Sequence, residues 1–109
     1  MILRIQKRGD EVKKIFQQGQ TRGEVVHASQ LDTYSYFMVY EVFSMMNSNR
    51  MSISVVIIDK EEYSELHASS SGGGKGWLFR FDWGSGKGFE ENIKRIFTNA
   101  GVQFREING

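Results

Sequence analysis

A chain of 109 residues with 39% apolar and 13% aromatic side chains is long enough for one hydrophobic core and too apolar for a disordered segment. A formal net charge of +1 argues against a dedicated nucleic-acid or polyanion binder, which carries a marked basic excess. With neither cysteine nor proline, disulfides, thiol catalysis, thiolate metal sites and cis-proline turns are excluded.

The charge is unevenly spread. Residues 1–22 hold six basic and two acidic side chains, 23–66 hold two and seven, and 67–109 hold six and four. Such blocks are ordinarily solvated surface. The opening MILRIQKRGDEV lacks the roughly 7–15-residue apolar core of a signal peptide. No run approaches the roughly 18 apolar residues of a membrane-spanning helix. The expectation is a single cytoplasmic domain over 1–109, with no membrane contact, no nucleic-acid partner and no cofactor.

In chain order, Ile2–Gln6 alternates weakly and suits a short first strand. Asp10 is the expected N-cap of a helix whose face carries Val12, Ile15 and Phe16 at i, i+3 and i+4, with Gly19 as the left-handed residue closing it. Glu24–Ser29 reads as a second strand and Gln30-Leu31-Asp32 as a turn. The segment 33–59 then holds two apolar runs, TYSYFMVYEVFSMM and MSISVVIID, around the polar tip Asn47-Ser48-Asn49-Arg50. Runs rich in aromatic and β-branched residues on either side of such a cluster predict a long antiparallel hairpin.

On that hairpin Tyr34, Tyr36, Met38, Tyr40 and Val42 share one face, and Phe37, Val39 and Phe43 the other. Slipping the register by one residue changes which of these faces lies beside Ile53, Val55 and Ile57, because side chains alternate with period two. Tyr63–Ala68 follows as a strand, Ser69–Gly76 as a loop with no apolar anchor, and Trp77–Trp83 as a strand with Trp77, Phe79, Phe81 and Trp83 on one face. After Gly84–Gly88, a helix over Phe89–Ala100 carries the stripe Phe89, Ile93, Ile96, Phe97 and Ala100, braced by Glu90–Lys94 and Glu91–Arg95 pairs and closed by Gly101. Val102–Ile107 adds an edge strand or trails. The expected architecture is α+β: an antiparallel meander of five to six strands with two helices on one face, in the order β-α-β(4-5)-α, a helix-grip or TATA-binding-protein-like layout.

Few residues invite chemistry. Gly86, Lys87 and Gly88 precede a helix, whose free N–H groups favour anions, yet Phe81 and Gly88 stand where a phosphate loop needs glycine and Ser or Thr. His27 and His67 lie on different strands, without metal-ligand spacing. Glu41, in the central hairpin, needs a partner such as Arg50 or Arg80 if it is buried. An apolar ligand cleft would be lined by Tyr36, Tyr40, Trp77, Phe79, Phe81 and Trp83. An interface for a homo-oligomer would use Phe37, Val39 and Phe43 with the adaptable pair Met45 and Met46.

The segments Tyr40-Glu41, Ser44-Met45-Met46, Asn49-Arg50-Met51-Ser52 and Ser70-Ser71-Gly72-Gly73 resemble a family of small uncharacterised bacterial proteins of about this length. The resemblance implies a domain of unknown function, with no catalytic residues to carry over. The functional expectation is a non-enzymatic domain acting by self-association or protein interaction, with small apolar ligand binding as the alternative.

Overall fold

The computed structural model describes residues 1–20, 23–44, 49–72 and 88–107. The elements are β1 (Ile2–Ile5), α1 (Gly9–Gly19), β2 (Glu24–Asp32), β3 (Ser35–Ser44), β4 (Asn49–Asp59), β5 (Ser64–Gly72), α2 (Gly88–Asn99) and β6 (Phe104–Ile107). They form one open antiparallel sheet in the order β2-β3-β4-β5-β1-β6. The fold is α+β. Only β2 to β5 make a simple meander. The first strand does not lie beside the second; it runs along β5, and the C-terminal strand pairs with it on the other side.

The hairpin register places Tyr36, Met38, Tyr40 and Val42 opposite Ile57, Val55, Ile53 and Met51. Directly opposed residues of an antiparallel pair point to the same side, so these eight form one apolar surface. All eight are buried. Ser44 pairs with Asn49 and Phe43 with Arg50. Asn49 and Arg50, expected at the tip, therefore belong to β4, because pairing them keeps both apolar sets on the same face.

Both helices cover that face. Val12 and Phe16 of α1, and Phe89, Ile93, Ile96 and Phe97 of α2, join one cluster with Leu3, Ile5, Met38, Tyr40, Ile53, Val55, Ile57 and Leu66. Phe16 meets Tyr40 edge-on, with ring centroids 5.3 Å apart at 78°. The expected stripe of α2 is thus the packed one, except that Ala100 is exposed in the turn beyond the helix. Gly101 (φ 72°) closes α2. Its N–H donates to Thr98 O (3.1 Å) and that of Val102 to Phe97 O (3.2 Å), the paired bonds of a Schellman cap.

The helix termini otherwise depart from expectation. Asp10 lies within the first turn of α1, and no side chain of the preceding residue Arg8 caps it. The cap comes instead from the end of β4, where Asp59 Oδ1 accepts from Gly9 N at 2.8 Å. Gly19 is not the left-handed closing residue: α1 ends at Gln20, which has φ −86°. A Cβ on Gly19 would lie 2.5 Å from Ile96 Cγ2, so its smallness serves the α1–α2 crossing. Lys94 pairs with Glu91 (3.7 Å) and with Glu106 of β6 (2.6 Å). Its nearest acid is therefore supplied by the sheet and not by Glu90.

Two strands are longer than their side chains suggest. β2 continues to Asp32, and the turn falls at Thr33-Tyr34, where Asp32 Oδ1 accepts from Tyr34 N (3.0 Å). β5 takes in Ser69, Ser70 and Ser71, expected in a loop, because they complete the ladder to β4 down to the Met51–Gly72 pair. Backbone hydrogen bonding to a long neighbour orders these residues without apolar side chains of their own. Gly73–Gly76, the Trp77–Trp83 segment and Gly84–Lys87 lie outside the described residues.

Candidate functional site

Where β4 ends against the start of α1, four groups converge. The Asp59 carboxylate accepts from Arg8 Nε and Nη2 (both 3.0 Å), Gly9 N (2.8 Å) and Glu61 N (3.2 Å). Ser35, fully packed, accepts from Asp59 N at 3.0 Å, and the buried Ser64 donates to Lys7 O at 2.7 Å. The Arg8 guanidinium carbon lies 4.1 Å over the Tyr34 ring. Hydrogen bonds from Arg8, then from the backbone of Gly9 and Glu61, hold the Asp59 carboxyl below its ordinary value against the opposing effect of burial. This cluster has every acceptor engaged and reads as a structural joint between sheet and helix.

A small pocket of about 160 Å³ lies between α1 and the β2–β3 pair, lined in part by Lys13, Gln17, Gln30, Tyr36 and Met38. Lys13 Nζ sits 4.3 Å over the Tyr36 ring, and the Tyr36 hydroxyl donates to Thr33 O at 3.3 Å. Burial raises the Tyr36 hydroxyl above its usual value, with a further push from Asp10. Burial raises Tyr40 as well, opposed by its hydrogen bond with Gln17. Both phenols therefore stay protonated at neutral pH, as donors and not as bases.

A larger cleft of about 520 Å³ opens where β1, β6 and the end of α2 meet, lined by Arg4, Gln6, Thr98, Gln103 and Arg105 among others. His67 Nε2 lies 3.1 Å from Glu65 Oε1, and His27 Nε2 lies 3.3 Å from Ser29 Oγ. Among the described residues no three His, Asp or Glu side chains gather as a metal site would require.

The structure separates most of the residues singled out from sequence. Tyr40 is 3% exposed and belongs to the core, whereas Tyr36 borders the small pocket beside α1. Trp77, Phe79, Phe81 and Trp83 lie outside the described residues, as do Gly86 and Lys87; Gly88 is the first residue of α2. Phe37 and Val39 are half-buried on the sheet face away from the helices, beside Val56 and Ile58. Phe43 pairs through β3 with Arg50, and Met45 and Met46 fall outside. Glu41 is opposite Glu24 on β2 and Ser52 on β4, and Arg80 lies outside the described residues.

A family model described as a family of unknown function (DUF6054) matches residues 10–101. The chain belongs to DUF6054. No curated protein and no solved structure matches it. The DUF6054 match runs from α1 to the cap of α2 and so includes β2 to β5 whole. It leaves out β1 and β6, with Arg4, Gln6, Gln103 and Arg105 of the larger cleft.

One surface of this DUF6054 domain had little signal in the sequence. Among the described residues, the large apolar side chains most open to water are Val25 (45%), Val26 (51%) and Leu31 (56%), all on β2. Among the described residues that strand is an outer one, with no neighbour beyond it. Its register against β3 shifts between Val25 and His27 and again between Gln30 and Asp32. Val26 and Leu31 are the extra residues of these two bulges. A Val-Val pair in a strand free of lysine and arginine was the available clue; that the strand is an edge was not.

Proposed function

We propose that this domain works by association, not by catalysis, and that two copies join through their β2 edges. The observation that carries this is the location of Val25, Val26 and Leu31 together on an outer strand of nine residues. An outer strand presents a row of unpaired N–H and C=O groups, and proteins blunt such rows with short strands, lysine or inward charge. The opposite edge is blunted in this way: β6 has four residues and exposes Arg105 and Glu106. β2 has two bulges, which also blunt an edge, but over its nine residues it has no charged side chain between Glu24 and Asp32. An antiparallel pairing of two β2 strands about Ala28 sets Val25 opposite Leu31 and adds main-chain bonds to both sheets, while Glu24 falls opposite Asp32 at each end and weakens the contact.

The interface is small, so the dimer is expected to be weak and sensitive to dilution. Light scattering over a concentration series checks it, with dimer growing as the concentration rises to about 100 μM. The double variant Val26→Lys, Leu31→Lys should remain folded and monomeric throughout. A strict monomer at the top of the series, or a double variant that associates like the parent, defeats the proposal. If Val39→Lys disperses the dimer and the β2 variant does not, the contact is the open sheet face carrying Phe37 and Val39.

The order β2-β3-β4-β5-β1, with one helix after β1 and another after β5, supports the TATA-binding-protein-like layout as the finer description of the fold. A shared layout carries no function with it. Apolar ligand binding beside Tyr36 has less support. Its pocket of about 160 Å³ is below the roughly 300–1,000 Å³ of ordinary ligand sites.

A further inference from the structure

The cleft at the other side of the sheet has a composition that the self-association reading does not use. Arg4 and Arg105 are direct partners across β1 and β6, so their side chains leave the same face of the sheet. Like charges set opposite each other oppose strand pairing unless something of opposite charge lies between them. Among the described residues neither arginine forms an ion pair. Glu65, the partner of Arg4 on β5, is hydrogen-bonded to His67, and Glu106 pairs with Lys94 on the helix side. The Arg4 guanidinium carbon rests 4.4 Å over the Tyr63 ring, while its Nε is buried without a hydrogen-bond partner among the described residues. The group is held in place from behind, and the neighbouring Glu65 carboxylate is engaged by His67 and forms no ion pair with it.

Among the described residues, those that line the cleft with the two arginines include no acid. Gln6 and Gln103 are brought together by the bond from Gln6 N to Gln103 O (3.0 Å), and both line the cleft. The Thr98 hydroxyl uses its proton on Lys94 O (2.9 Å) and offers only lone pairs to the same space. Val102 and Phe104 form the apolar part of the wall. A volume of about 520 Å³ falls within the roughly 300–1,000 Å³ usual for small-molecule sites.

We propose that this cleft binds a small organic anion through a phosphate or carboxylate group held between Arg4 and Arg105. The planar guanidinium fork matches either oxyanion with two parallel hydrogen bonds. The carboxamides of Gln6 and Gln103 supply further donors, and Val102 and Phe104 face the uncharged remainder of the ligand. Binding removes the repulsion between the two arginines and so tightens β6 on β1.

Amide shifts in a ¹⁵N-labelled sample report on the site during separate titrations with sodium phosphate and sodium acetate, at ionic strength held constant with sodium chloride. Saturable shifts are expected at Gln6, Thr98, Gln103 and Arg105. The affinity should fall about tenfold or more in Arg105→Gln, the loss of one charged hydrogen-bonding partner. Arg105 is exposed, so this variant keeps the fold even if Arg4→Gln, which also loses the Tyr63 contact, does not. Saturation by phosphate alone assigns a phosphate group, by acetate alone a carboxylate, and by both an oxyanion of either kind. Shifts that never saturate with either anion, or that saturate equally well in Arg105→Gln, overturn the site.

Discussion

Gly9→Ala is expected to lower the stability of the domain by about 3–5 kcal/mol, a large part of the roughly 5–15 kcal/mol that a domain possesses. A Cβ at this position would lie 1.8 Å from Tyr34 O, 2.9 Å from its carbonyl carbon and 3.3 Å from Asp59 Cβ. The first two atoms are backbone and cannot rotate away. To admit the methyl group, the start of α1 has to retreat from the β2–β3 turn and from the end of β4. That movement stretches the bond from Gly9 N to Asp59 Oδ1 and the two bonds from Arg8 to Asp59. The effect is therefore larger than overpacking alone, at about 1–3 kcal/mol, because a charge-assisted hydrogen bond is lost as well. Denaturant unfolding of Gly9→Ala beside the exposed first-turn control Glu11→Ala measures it. A Gly9→Ala midpoint within about 1 kcal/mol of the parent would show that α1 does not start against Tyr34.

Asp59→Ala is expected to cost about 2–3 kcal/mol near neutral pH, from the loss of a helix cap and of charged hydrogen bonds in a mostly enclosed place. The Asp59 side chain is 8% exposed and that of Arg8 is 40% exposed, so the pair is only partly screened by salt. The pH dependence has a definite sign. The folded carboxyl titrates below its ordinary value, chiefly because of Arg8, so the native state binds fewer protons there than the unfolded chain. Its stabilising contribution is then complete above the unfolded value of about 4 and is lost as pH falls through the lower, folded value. Asp59→Asn keeps the shape without the charge, and its stability should fall less steeply than the parent's as pH drops below about 4. Parallel acid profiles for the two proteins would mean that other carboxylates govern acid unfolding.

Local composition carries a large part of this fold. The spacing of Val12 and Phe16, and of Phe89, Ile93, Ile96 and Phe97, placed two amphipathic helices and their buried stripes, because helical period alone decides which side chains share a face. Alternation in 33–59 likewise marked the central hairpin, and Gly101 marked the end of α2 through the backbone conformation it alone adopts without strain. Short-range rules of this kind act within about one turn or one hairpin, where the chain itself brings the residues together.

What depended on distant parts of the chain was settled only in three dimensions. The register that puts Tyr40 opposite Ile53 follows from two helices needing a single apolar surface, and no residue at the hairpin tip encodes it. Ser69, Ser70 and Ser71 are a strand because β4 offers them a ladder, although their side chains favour a loop. The cap of α1 is Asp59, 50 positions away, and not the adjacent Asp10. Placing β1 between β5 and β6 brings Arg4 to Arg105 and leaves β2 as an outer strand with Val25, Val26 and Leu31 uncovered. Side-chain type specifies what a residue prefers to touch, whereas the sheet order, a property of the whole chain, determines which partners are within reach.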